Sequence, residues 1–347
     1  MRVKKRYFLR TILVITCILL IGVAAEVAKH YYRLEIENFS SKEQPEHGYY
    51  VYPGTSIDEV LDMLEADYEI GSRQDFMLHA KLMHFHYPEP GYYCFDSIIS
   101  NRELIDRLKY GKQTAITLTW NNTIRTREQL AGAVGSKLMM DSVKLLQYLE
   151  DDTFLAQYGL NKETSRCLFI PNSYQVYWTI TPEQLFARMK REFDTFWNPE
   201  RMEKAHQLGL TPVEVSIVAS IIEGESHNKA ELPIIASLYL NRVHKGMLLQ
   251  ACPTVIYANG DFSLRRVLTR HLQLDSPYNT YKYRGLPPGP IRCAAPQSID
   301  FVLNAPKTNY LYMCANPALD GTHIFSSDYS IHRRAANEYH EMMNTLN

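Results

Sequence analysis

At 347 residues the chain is long enough for two or three domains, each with its own core. Lys and Arg number 37 against 38 Asp and Glu, so the basic excess of a nucleic-acid-binding face is missing and no nucleic-acid partner is expected. The 24 tyrosines offer flat apolar faces with polar rims, which suit sugar rings and half-buried sheet packing equally, and composition separates neither use.

The first ten residues carry Arg2, Lys4, Lys5, Arg6 and Arg10, and Thr11 to Ala25 then runs without a charge. A basic flank before an apolar core reads as a single signal anchor over 11–29, with Arg10 and Glu26 near enough to its ends to snorkel. The flank keeps residues 1–10 in the cytoplasm and sends everything after residue 30 across the membrane. A cleaved signal peptide is the alternative, since Gly22-Val23-Ala24-Ala25 supplies small residues. Residues 30–48 are polar and read as a stalk. Of six cysteines, Cys17 lies in the anchor and Cys94, Cys167, Cys252, Cys293 and Cys314 are scattered, without a CxxC pair. No zinc site is expected, and one or two bridges stay unassigned. His84 and His86 lack a third ligand nearby, so no metal is expected there either.

Tyr49 to Tyr52 reads as a strand, Pro53-Gly54-Thr55 as its turn, and Ser56 as the N-cap of a helix carrying Ile57, Val60, Leu61 and Leu64. A second helix bears Phe76, Leu78, Leu82 and Met83, and Gly91 to Phe95 returns as a strand. This β-α-α-β order resembles the LysM-like module of peptidoglycan-associated proteins; a small α+β packing domain is the other reading. The module with its following helix spans 49–112. A helix over 101–110 ends at Gly111, where a residue without Cβ can close it. Thr114 to Trp120 alternates with Ile116, Leu118 and Trp120 on one face, a strand. Helices follow at 126–140 and 141–150, so 113–164 forms a connecting α+β region. Phe169 to Tyr174 is loop-like, a helix covers about 181–195, and 165–347 makes the catalytic domain. The fold class expected is α+β: a membrane helix, the small module and a larger mixed domain.

Within the last of these, Val213 to Glu225 is helical by pattern. Taking Val218 as zero and roughly 100° per residue, Ile222 falls near 40°, Ile221 near −60° and Glu225 near −20°. Glu225 therefore points toward the core, whereas Glu223 falls near 140° beside Ser216 and Ser220, toward water or another polar layer. A carboxyl on an apolar face has its ionised form disfavoured and can hold a proton near neutral pH, as a general acid must. An ordinary helix-end glutamate paired with a base is the competing explanation.

Downstream come Leu240-Asn241-Arg242, Gly246 to Gln250, Pro253-Thr254-Val255-Ile256-Tyr257, Ser276-Pro277-Tyr278-Asn279-Thr280-Tyr281 and Gly285 to Ile291, then Lys307-Thr308 and Tyr310-Leu311-Tyr312. Amide, hydroxyl and aromatic groups of this kind hold sugars, although Gln250 and Asn279 could equally tie down loops. Taken with the S-I-I-E-x-E helix, these segments resemble the endolytic murein transglycosylase (MltG-type) family over essentially the whole chain. The resemblance implies that Glu225, the second glutamate of the helix, is catalytic, the residue that helix geometry selects independently. It further implies substrate-binding roles for Asn241, Gln250, Thr254, Tyr278 and Asn279, and no cofactor. Cys252 stands where the family commonly has Asp, and Asn172 where it commonly has the Asp of P-D-T-Y; each change removes a negative charge.

The chemistry so implied is cleavage of the β-1,4 bond between N-acetylmuramic acid and N-acetylglucosamine in nascent strands, leaving a 1,6-anhydro end. The partners implied are peptidoglycan glycan strands, the bacterial cytoplasmic membrane through one anchor, with the catalytic domain outside, and peptidoglycan synthases. Two alternatives stay open: a muramidase-type hydrolase using Glu225 with Asp261 or Asp275, and a catalytically silent peptidoglycan-binding scaffold.

Overall fold

The computed structural model describes residues 2–43, 47–264 and 266–345. Parts of the expected tail, stalk and catalytic domain (residues 1, 44–46, 265, 346 and 347) lie outside the described residues. The protein is a mixed α+β chain with one long apolar helix at its N-terminus, α1 (Arg2–Glu35). Its stretch Arg10–Glu35 is 26 residues, about 39 Å at 1.5 Å per residue, which exceeds a hydrocarbon core of about 30 Å.

Residues up to Ile116, joined by Gln175–Thr179, form one compact unit. It contains β1 (Glu37–Ser41), β2 (Tyr49–Val51), α2 (Ile57–Asp67), β3 (Tyr68–Ile70), α3 (Arg73–Leu82), β4 (Gly91–Tyr93), β5 (Ile98–Ser100) and α4 (Asn101–Lys109). Ser56 caps α2 through a full capping box with Glu59, as its sequence suggests. β2 pairs antiparallel with β4, and a strand absent from the expected order, β3, separates the two helices. The stalk expected over 30–48 requires correction. Its first residues continue α1, and 37–41 form the central strand of an antiparallel sheet ordered β3-β1-β5. The polar composition misled because one side chain, Phe39, does the burying, stacked edge-on to Phe76 at 5.6 Å. Asn38 meanwhile spends its amide on structure, exchanging bonds with Ser72 N (2.7 Å) and Ser72 O (3.0 Å) and reaching Asn101 Oδ1 (2.7 Å).

The second unit comprises Thr117–Tyr174 and Ile180–Asn347, so the division falls within the strand β6 (Ile116–Thr119) rather than at 112 or 164. Three helices follow, α5 (Arg127–Gly135), α6 (Ser142–Glu150) and α7 (Asp152–Ala156). The segment expected as loop, 169–174, runs at its end into β7 (Ser173–Val176), which pairs with β6. Then come α8 (Pro182–Phe196), α9 (Pro199–Gln207), α10 (Pro212–Glu225), α11 (Leu232–His244), α12 (Cys252–Asn259), α13 (Thr269–Leu272) and α14 (Pro296–Leu303). A hairpin of β8 (Tyr312–Ala315) and β9 (His323–Ser326) precedes the last helix, α15 (Tyr329–Thr345).

α10 is the axis of this unit. Thr211 caps it through a capping box with Glu214, Pro212 sits in its first turn, and every residue from Val215 to Ile222 is buried. Helices α9, α11, α12 and α14 all pack on it. Because neighbours surround it, the serine side faces no water. Ser216 and Ser220 bond back to Pro212 O (2.8 Å) and Ile217 O (2.7 Å), and Ser220 Oγ also accepts from Ile291 N at 3.0 Å.

Candidate active site

α10 ends at Glu225, with Ser226 in extended conformation as its C-cap. The carboxyl leaves the core where the helix stops and opens into a cavity of about 380 Å³. Leu238, Tyr239 and Arg242 of α11 form one wall, Leu249, Gln250, Cys252 and Tyr281 a second, and Met313, Cys314, Ala315, His323 and His332 the hairpin side.

Burial pushes the Glu225 pKa from its ordinary 4.5 up to about 7, against the pull of a hydrogen bond from Tyr239 and the nearby His323 and Arg242. The helix C-terminus adds a partial negative charge that also disfavours carboxylate. Tyr239 Oη donates to Glu225 Oε1 at 2.5 Å, which leaves Oε2 free of that bond. Glu223 is desolvated too, so its pKa also rises, but it is consumed by structure. Its Oε1 accepts from Ala295 N at 2.7 Å and its Oε2 from Asn122 Nδ2 at 3.1 Å. The helix wheel thus separates the two glutamates by partner, polar layer against open cavity, rather than by solvent.

Arg242 is buried and acts as a framework. Its guanidinium donates to the carbonyls of Leu311 (2.6 Å), Leu248 (3.0 Å) and Leu249 (2.9 Å) and to Gln250 Oε1 (3.3 Å). Gln250 holds a left-handed backbone, φ 53°, that costs a residue with a Cβ roughly 1–2 kcal/mol. Such strain at a cavity wall fits a side chain kept in place for contact rather than for stability. His323 bonds through its ring to Glu231 Oε2 (2.9 Å) and through its backbone N to Oε1 (2.8 Å). Cys252 Sγ lies 3.2 Å from Tyr281 Oη, and burial raises its pKa, so the residue standing where an Asp was expected is a neutral thiol on the wall. All six cysteines are unbridged.

Of the six residues singled out from sequence, only Glu225 and Gln250 meet in this cavity. The other four lie outside its lining. Thr254 and Asn279 are fully buried. Thr254 Oγ1 donates to Ala251 O (2.7 Å), and Asn279 Nδ2 ties Leu272 O (3.0 Å) and Leu274 O (2.7 Å). Asn241 Nδ2 holds Thr308 O and Tyr310 O, both at 3.0 Å. Tyr278 donates to Glu163 Oε2 (2.7 Å) and packs on Tyr257. Tyr239, Tyr281, His323 and His332 were missed. Tyr239 and Tyr281 had a sequence signal, Tyr239 beside the quoted Leu240-Asn241-Arg242 and Tyr281 at the end of the quoted segment that starts at Ser276, while the histidines are joined to Glu225 only by the fold.

Residues 49–338 match the YceG-like family, and the chain belongs to it. It is 28% identical over 305 residues to a Bacillus subtilis protein named endolytic murein transglycosylase, covering 82% of each chain. A Streptococcus pneumoniae protein of the same name is 25% identical over 317 residues, and there the match takes in 82% of this chain but 57% of the relative. The crystal structure of a YceG-like protein from Listeria monocytogenes superposes with a TM-score of 0.52 at 26% identity, over 84% of this chain and 99% of that one.

Proposed function

We propose that the protein is a membrane-anchored lytic transglycosylase that cleaves the MurNAc–GlcNAc β-1,4 bond of nascent peptidoglycan with Glu225 as its single acid and base. The observation carrying this reading is a carboxyl with a pKa near 7 in a cavity where, among the described residues, no other carboxyl lines the wall. Protonated Glu225 gives its proton to the glycosidic oxygen as the C1–O bond breaks, and the ring develops oxocarbenium character. The carboxylate left behind accepts the proton of the muramyl C6 hydroxyl while that oxygen bonds to C1. The 1,6-anhydro end forms without water, and Glu225 finishes protonated. The Tyr239 bond steadies the carboxylate between the two transfers, and Gln250 and Tyr281 supply amide and hydroxyl contacts for the sugar.

The names of the Bacillus and Streptococcus relatives support the substrate class. The length and apolarity of α1 support an anchor in the cytoplasmic membrane with the rest outside, where peptidoglycan synthases are the natural partners. Pairing of β2 with β4 around two helices supports a LysM-like role for the first unit.

A hydrolase would need a second carboxylate across the bond. Asp261 and Asp275 are exposed and bound locally, to Ser263 and to Tyr283 and Lys282. Glu231 has both oxygens on His323. The test is mass spectrometry of the ends released from glycan strands by wild type, Glu225→Gln, Asp261→Asn and Asp275→Asn. Anhydro ends, an inactive Glu225→Gln and two active aspartate variants are expected; ordinary reducing ends with a dead aspartate variant would replace the mechanism by hydrolysis.

A further inference from the structure

The end of α10 parts two cavities. Glu225 opens on the large one, and Gly224, one residue earlier, floors another of about 70 Å³. Cys252 and Pro253 divide in the same way, so the cavities adjoin across two peptide units. The smaller has under a fifth of the volume of the larger, a space suited to a compact anion such as a carboxylate. It exists because Gly224 lets α10 approach α12, as a Cβ there would lie 2.6 Å from Pro253 Cβ.

Two guanidiniums, Arg125 and Arg292, face this space beside Tyr257 and Phe262. Arg125 lies over the Phe262 ring at 4.9 Å. Neither arginine side chain has a hydrogen bond or ion pair among the described residues, and Arg292 Nε is buried without a partner. Burial lowers the Arg292 pKa, Glu223 opposes that and Arg125 adds to it, so the two cations feel each other. Glu223 is the carboxylate nearest in effect, yet its oxygens are committed to Ala295 and Asn122. Behind Tyr257 a third cation, fully buried Arg166, donates to the Tyr257 hydroxyl at 2.9 Å. Converging unpaired donors in a desolvated pocket are costly until an anion meets them, and a planar carboxylate matches the guanidinium fork.

We propose that this cavity is an anion subsite in which Arg125 and Arg292 hold a free carboxylate on the peptide stem of the muramyl sugar at the scissile bond. The proposal rests on the function above and adds that the protein distinguishes stem-bearing strands from denuded ones. The sugar sits against Glu225, and its stem needs to pass only the Gly224–Glu225 and Cys252–Pro253 edges to reach the arginines.

The test uses full-length Glu225→Gln protein in detergent, with calorimetric binding of glycan fragments of one length, either stem-bearing, denuded or stem-bearing with amidated carboxylates. Stem-bearing fragments are expected to bind roughly ten- to a hundredfold more tightly than the other two. Adding Arg292→Gln, or separately Arg125→Gln, should erase that preference and leave the affinity for denuded strands unchanged. An unchanged preference in both variants, or an equal loss for all fragments, would overturn the subsite. Pyrophosphate binding lost in the variants, together with indifference to stems, would move the anion to a lipid-linked diphosphate and overturn the stem assignment. Failure of the parent to bind any fragment would instead sink the glycan reading, and the subsite with it.

Discussion

Tyr239→Phe isolates what the tyrosine does for the acid. Its hydroxyl donates to Glu225 Oε1 at 2.5 Å and favours the carboxylate, while burial drives the pKa the other way, to about 7. A hydrogen bond to a charged group contributes about 1.5–3 kcal/mol, and one pH unit corresponds to about 1.36 kcal/mol. Removing the bond should therefore raise the Glu225 pKa by about one to two units. The reaction begins from the protonated acid, so wild-type kcat/KM falls as pH climbs through about 7. In the variant that falling limb should lie near pH 8 to 9, roughly the wild-type midpoint plus the lost bond. Below pH 6 the rate should drop only a few-fold, from a weaker acid and a less firmly held carboxyl. The assay is the rate of end release from glycan strands between pH 5 and 10, with thermal unfolding as a check that the variant is folded. A folded variant whose limb stays at the wild-type position, or moves down, would refute the coupling of Tyr239 to the proton on Glu225.

Two further outcomes concern the neighbouring glutamates. The folded pKa of Glu225 lies above its ordinary 4.5, so its neutral form is fully favourable below that value and the benefit is lost as pH rises through about 7. By pH 8 wild type carries a penalty approaching about 3 kcal/mol that Glu225→Gln escapes; the variant should melt higher than wild type at pH 8 and alike at pH 4.5, and an equal gap at both pH values would contradict the desolvation account. Glu223→Gln should keep most of the activity but lose about 1–2 kcal/mol in urea unfolding, because an amide cannot accept from both Ala295 and Asn122. A fully stable but inactive Glu223→Gln would reverse the roles given to the pair.

Much of the architecture could be read from residue pattern because the signals were local. Ser56, Thr181 and Thr211 each start a helix through a capping box, and Gly111 ends one with φ 59°. β1 was illegible for the opposite reason: its stability comes from neighbours at Ser72, Phe76 and Ile99, remote in sequence. The setting of Glu225 was legible because one residue's angle on one helix decides its environment. The rest of the cavity wall was not. Polar residues such as Asn241 and Asn279 have the same composition whether they bind a ligand or a carbonyl, and only the burial of their partners distinguishes the two.

That difference bears on how the site is built. A general acid needs desolvation to keep its proton and access to deliver it, and these demands oppose each other. α10 suits both by running eight buried residues and then ending at Glu225, with Ser226 extended as its C-cap, so that Glu225 sits where the core ends. The opposite wall must then come from elsewhere, and α11 supplies the ties. Asn241 holds the carbonyls of Thr308 and Tyr310, Arg242 that of Leu311, and Glu231 just before the helix fixes His323 on β9. The same Arg242 reaches Leu248, Leu249 and Gln250, which locks the strained wall residue to the hairpin through one guanidinium. The asparagine thus shapes the cavity from behind and the arginine from its wall, and loosening either one should displace the hairpin before it alters the setting of Glu225 itself.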